Sequence, residues 1–134
     1  MAVQLNHTIV WCTDKQRSAA FATEILGLPP AVPFGPFMIV ELDNHVSIDF
    51  HDVDHDAGDD AGPEIAPQHY AFLISEEEFD QVFARVTERG IEYFADPGCR
   101  QPGEINRRDR GRGFYFADPD GHLLEVLTRA YGAG

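Results

Sequence analysis

Apolar and polar positions change their period twice along this chain, and in the same order each time. Positions 5 to 11 alternate as Leu-Asn-His-Thr-Ile-Val-Trp, so Leu5, His7, Ile9 and Trp11 share one face of an extended strand. From Asp14 the spacing turns helical. Ser18, Phe21, Ala22 and Ile25 fall on one side, Asp14 supplies an N-cap and Gly27 a stop. Pro29, Pro30, Pro33 and Pro36 then cut the chain into short extended pieces, and positions 37–42 and 46–51 predict a hairpin around Asp43-Asn44. Positions 68–74 alternate again, with His69, Ala71 and Leu73 on one face, and a helix follows at once. Ser75 is its cap, Glu78 completes a capping box, Phe79, Val82, Phe83 and Val86 form its apolar stripe, and Gly90 ends it. A short strand at 91–94, a loop at 95–112 and a closing hairpin complete the chain. The turn of that hairpin is Asp118-Pro119-Asp120-Gly121, flanked by Phe114-Tyr115-Phe116 and by 123–127. Each half reads strand, helix, three strands.

Sliding one half over the other places His7 on His69 and Ile48-Asp49-Phe50 on Leu124-Glu125-Val126. The apolar neighbours face the helices, so Asp49 and Glu125 point to the opposite face, where His7 and His69 also point. A carboxylate in the middle of an apolar strand is disfavoured unless it is paired or binds a metal. Two histidines with one or two carboxylates suit one divalent ion, and the spacing does not choose among Fe, Zn, Mn, Ni and Co. His45, His51, His55 and His122 read as turn or surface residues, although His51 shares a strand face with Asp49.

Composition narrows the function classes. A length of 134 residues predicts one domain, and a net charge of -13 argues against nucleic acid as a partner. No apolar run approaches a membrane span and no signal-peptide pattern opens the chain, so a cytoplasmic protein without a membrane partner is expected. Cys12 and Cys99 lack a metal-type spacing and read as free thiols. Residues 52–67 are acidic and without period. They do not make a calcium loop, because Ala57 stands where the sharp turn needs glycine and Pro63 where the bidentate glutamate belongs. Arg100, Arg107, Arg108, Arg110 and Arg112 are half of the 10 Lys and Arg residues. They predict either a cationic lid for an anionic substrate, with Arg112 and Asn106 nearest the hairpin, or mutual pairing with Glu104, Asp109 and the acidic segment.

Leu5-Asn6-His7-Thr8-Ile9, the Glu24-Ile-Leu-Gly27 helix end, Gln68-His69-Tyr70-Ala71-Phe72 and the segment from Phe114 through Asp118-Pro-Asp-Gly-His-Leu-Leu-Glu125 together resemble the vicinal oxygen chelate superfamily. That superfamily includes glyoxalase I, extradiol dioxygenases, fosfomycin-modifying enzymes and bleomycin-binding proteins. The resemblance implies an α+β fold: a single domain over 1–134, with module 1 at about 1–52, a linker at about 53–67 and module 2 at about 68–131. The two βαβββ modules would pair into a cup-shaped mixed sheet with helices on the convex face. It implies His7, His69 and Glu125 as metal ligands, with Asp49 at the fourth position of the glyoxalase I branch, one methylene shorter than the glutamate expected there. Glu125 or Asp49 would serve as base, Tyr115 would contact substrate, and Trp11 and Leu127 would be apolar wall. Asn106-Arg107 and Phe114-Tyr-Phe116 are similar to the fosfomycin branch, but the lysine and the late arginine of that branch have no match. The implied function is a divalent-metal-dependent lyase, isomerase or dioxygenase acting on a small, oxygen-rich, anionic metabolite. The alternative is a non-catalytic small-molecule binding protein of bleomycin-resistance type. A homodimer is expected, with the modules paired within one chain or exchanged between two.

Overall fold

The capped helices and the registers of their flanking strands decide where every side chain of the two repeats points. The structure is a computed structural model and describes residues 2–53 and 64–131. His55 and most of the acidic segment lie outside the described residues. The chain divides into two compact units, Met1–Ala66 and Pro67–Gly134.

The first unit runs β1 (His7–Cys12), α1 (Lys15–Leu26), β2 (Val32–Phe34), β3 (Phe37–Glu41) and β4 (Ser47–Asp52). Its sheet order is β1-β4-β3-β2, with β1 parallel to β4 and the other pairs antiparallel. The Asp14 carboxylate accepts the N–H groups of Gln16 and Arg17 at 3.1 and 3.2 Å, and Gly27 turns the chain out of α1 at φ +70°. Val10, Met38, Val40, Ile48 and Phe50 are buried on one face of this sheet, and α1 buries Ala19, Ala22 and Ile25. The other face carries His7, Ser47 and Glu41 in one row, Ile9, Asp49, Ile39 and Val32 in the next, then Trp11, His51, Phe37 and Phe34.

The second unit repeats the order as β5 (His69–Leu73), α2 (Glu76–Glu88), β6 (Tyr93–Phe94), β7 (Gly113–Ala117) and β8 (Leu123–Leu127). Its sheet order, β5-β8-β7-β6, has the same single parallel pair. The Ser75 hydroxyl accepts the Glu78 N–H at 3.1 Å and donates to the Glu78 carboxylate at the same distance. Phe79 of α2 meets Phe114 edge-on at 5.3 Å, and Phe83 meets Tyr93 and Phe114 at 5.2 and 5.6 Å. Phe79, Val82, Phe114, Phe116 and Val126 are all buried. Among the described residues no helix is long and apolar enough to cross a membrane. Cys12 and Cys99 are free thiols.

The loop at 95–112 is a loop as expected, held by defined bonds. Asp96 accepts the N–H groups of Arg100 and Gln101, Phe94 bridges to Pro102, Asn106 bridges to Gly113, and Arg108–Arg110 makes one 3-10 turn. One expectation changes: His122 is a buried residue, not a turn or surface one, at 1% exposure. Its Nδ1 accepts the Gln68 N–H at 3.0 Å, and Asp118 accepts the His122 N–H at 2.9 Å, so this ring ties the entry of β5 to the turn before β8. Burial raises the Asp118 carboxyl above the usual range.

Phe114 is fully buried among four aromatic rings. Phe114→Ala should therefore cost about 3–5 kcal/mol in urea unfolding, while Ser75→Ala, which removes only a cap, should cost about 1 kcal/mol. Equal losses would show that the ring cluster is not the stabilising core of this unit.

Candidate metal centre

Glu125 sits on β8 between a parallel neighbour, Ala71 of β5, and an antiparallel one, Tyr115 of β7. All three share the face away from α2. Its side chain is 2% exposed. His69, one row away on β5, places Nε2 3.1 Å from Glu125 Oε1. The other ring nitrogen, Nδ1, lies 2.9 Å from the carbonyl oxygen of Leu123. A carbonyl only accepts, so Nδ1 carries the hydrogen, and in neutral imidazole Nε2 then presents a lone pair. A lone pair facing a carboxylate oxygen repels it. The pair is at rest only with a proton or a cation between the two atoms.

The second oxygen of Glu125 is occupied. Tyr131 Oη donates to Oε2 at 2.6 Å, Tyr131 and Tyr115 share a hydrogen bond of 3.1 Å, and Arg108 Nη1 donates to Tyr115 Oη at 2.9 Å. A guanidinium cannot accept and a carboxylate cannot donate, so the ends set the direction Arg108 to Tyr115 to Tyr131 to Glu125. Burial of its hydroxyl end, and then its bonds to Glu125 and Tyr115, push the Tyr131 phenol well above the ordinary range.

In the first unit His7 Nδ1 lies 2.7 Å from Asn6 Oδ1, which fixes the same tautomer and leaves Nε2 bare. Asp49 is 8% exposed, and its Oδ1 accepts the Ser47 hydroxyl at 2.7 Å. Ser47 holds the register position that Leu123 holds in the second unit. His51 is half-buried on the Asp49 face, with Nδ1 2.7 Å from the Asp52 carbonyl and its ring 4.8 Å from Trp11. Trp11 is itself 46% exposed on the His7 face.

Two expected substrate contacts are engaged elsewhere. Arg112 Nε donates to Glu76 Oε2 at 2.7 Å, its Nη2 lies 2.9 Å from Asp80 Oδ1, and its guanidinium stacks 4.2 Å over Phe79. It thus clamps α2 from the helix side of the sheet. Hydrogen bonds from Thr128 and then Arg112 hold the Glu76 carboxyl below its ordinary range. Asn106 Nδ2 donates to the Ala95 carbonyl at 2.8 Å and ties the loop to itself. The cation that reaches the Glu125 side is Arg108. Asp109 and Arg110 hold it there on two successive non-glycine residues at φ +54° and +65°. The arginine cluster marked this loop but not which guanidinium turns inward. Tyr131 lay beyond the last periodic segment and carried no sequence signal.

The sequence matches the Glyoxalase/Bleomycin resistance protein/Dioxygenase superfamily over residues 4–126. The chain belongs to this superfamily. It is similar to the solved structure of Oxidase ChaP-H1, at 55% identity and a TM-score of 0.90, covering 98% of this chain and 100% of that one. It is similar also to Oxidase ChaP-H2, at 54% identity and a TM-score of 0.91, covering 100% and 99%. Glutathione transferase FosA of Serratia marcescens is 29% identical over 139 aligned residues, covering 99% of this chain and 86% of the relative.

Members of the glyoxalase and dioxygenase superfamily raise the question of a divalent ion, and the donors of the second unit fit one. Two ligands at about 2.1 Å from one ion and at right angles stand about 3.0 Å apart, close to the His69–Glu125 separation. The Leu123 carbonyl holding Nδ1–H is the backing that a metal-bound histidine uses. Among the described residues no cluster of three or more His, Cys, Asp or Glu forms, so this pair by itself supplies two donors. Because Arg112 serves α2, Arg112→Ala should lower the thermal midpoint and leave divalent-metal affinity unchanged. A loss of metal or substrate affinity without a loss of stability would return Arg112 to the site.

Proposed function

We propose that this protein is a divalent-metal-dependent oxidase of the glyoxalase and dioxygenase superfamily, acting with dioxygen on a small, oxygen-rich, anionic metabolite. The observation that carries the reading is His69 Nε2 lying 3.1 Å from buried Glu125 Oε1, with Nδ1 2.9 Å from a carbonyl that only accepts. His7 is the third ligand in this reading, from module 1 of the same chain or of a second copy in a homodimer, and its Nδ1 is likewise engaged, by Asn6 Oδ1. Asp49 stands outside the set. Its side chain is one methylene shorter than that of Glu125, which sets its oxygens closer to the strand. Two histidines and one carboxylate leave open positions, an arrangement suited to oxygen chemistry. The two oxidases at 54–55% identity support that choice over isomerisation.

When bound, the ion supplies Lewis-acid polarisation and one-electron chemistry. The rest falls to the chain. His69 and Glu125 present their donors from sheet strands rather than from loops, with Glu125 Oε2 held by the Tyr131 hydroxyl. Arg108, with Arg107 and Arg110 beside it, supplies the positive charge that attracts an anionic group. Trp11 offers an apolar ring on the His7 face.

Elemental analysis of the purified protein should find one divalent ion per chain. His69→Ala should weaken its retention by at least about 100-fold, whereas Asp49→Ala should leave it within a few-fold. A fully loaded His69→Ala protein would sink the assignment, and loss of metal from Asp49→Ala would make the site four-liganded. Dioxygen uptake with a panel of catechols and hydroxyquinones should follow metal content. Tight one-to-one binding without turnover would place the protein with the non-catalytic binders.

A further inference from the structure

Tyr131 lies beyond the last strand and its residue is 58% exposed, yet its hydroxyl is turned onto a carboxylate that is almost fully buried. Fixing an exposed side chain outside any strand costs conformational entropy, which the bonds it makes must offset. The contact is not isolated. Tyr115 is 2% exposed and stands opposite Glu125 in the β7–β8 register, and Arg108 donates to it from a turn with two left-handed non-glycine residues. Every donor in this chain points toward Glu125, so the phenol arrives at Oε2 already oriented by a charged anchor.

We propose that Tyr131 is a positioning residue that makes Glu125 a one-oxygen ligand. It occupies Oε2, so only Oε1 is presented beside His69 Nε2, while Tyr115 and Arg108 hold the phenol in place. The inference rests on the metal reading above and goes beyond it. A carboxylate with both oxygens free can bind an ion through both. It would then fill a position that a substrate with two adjacent oxygens needs. The phenol thereby sets how much of the coordination shell remains for substrate.

The test uses the full-length protein loaded anaerobically with cobalt(II), with catechol as a two-oxygen probe. Wild type should take up one cobalt and then bind catechol. Tyr131→Phe should keep its cobalt and its thermal midpoint. Its visible cobalt absorption should weaken as the coordination number rises, and its catechol affinity should fall about tenfold. A folded Tyr131→Phe protein with wild-type absorption and wild-type catechol affinity overturns the proposal. Should that variant fail to fold, Tyr115→Phe breaks the same chain one link earlier. It should shift both readouts in the same direction, and its failure to do so overturns the proposal equally. If wild type takes up no cobalt, the metal reading itself falls and carries this proposal with it.

Discussion

A single buried carboxylate constrains the second unit of this protein. Removing an ionised carboxylate from water costs several kcal/mol unless each oxygen finds a partner of the right sign. Glu125 meets that requirement asymmetrically. Oε2 receives a phenol at the end of a one-way donor chain that starts at a guanidinium, while Oε1 faces an imidazole nitrogen without a hydrogen of its own in the neutral form. One oxygen is satisfied by the protein alone, and the other requires a proton or a cation. The sheet delivers both conditions, since β8 runs between β5, which brings His69, and β7, which brings Tyr115.

The two repeats share a register and differ in chemistry. His7 and Asp49 stand on β1 and β4 as His69 and Glu125 stand on β5 and β8. In the first unit a serine replaces the leucine beside the histidine and takes the carboxylate for itself, and the acid is one methylene shorter. The same backbone therefore sets a histidine and a carboxylate on one sheet face in both halves, but the two side chains meet within hydrogen-bond distance at His69 and Glu125. The matching registers therefore do not make the two sheet faces alike, because single residues on them differ.

Much of this was legible before any coordinates. The caps Asp14 and Ser75, the stops Gly27 and Gly90, and the Asp118-Pro-Asp-Gly121 turn are local chemistry, and they bound the helices and the last hairpin as expected. Alternation was enough to put His69 and Glu125 on one face. The rest depended on contacts that no period encodes. Tyr131 reaches back six residues to Glu125 from outside any strand, and Arg108 is separated from four similar arginines only by the direction of a left-handed turn. Arg112, nearest the hairpin in sequence, crosses to the helix side because Glu76, Asp80 and the face of Phe79 wait there. His122 looked like part of a polar turn, yet its ring is buried and accepts the Gln68 N–H.

On the proposed function, His69 Nε2, rather than Nδ1, meets a divalent ion shared with Glu125. Ring-nitrogen NMR of protein labelled with 15N-histidine, followed through a zinc titration, tests it most directly. At one zinc per chain the Nε2 signals of His69 and His7 should move together to the metal-bound range, while both Nδ1 nitrogens stay protonated. A His69 Nε2 signal that does not move at saturating zinc, or zinc taken up at Nδ1, would contradict the account.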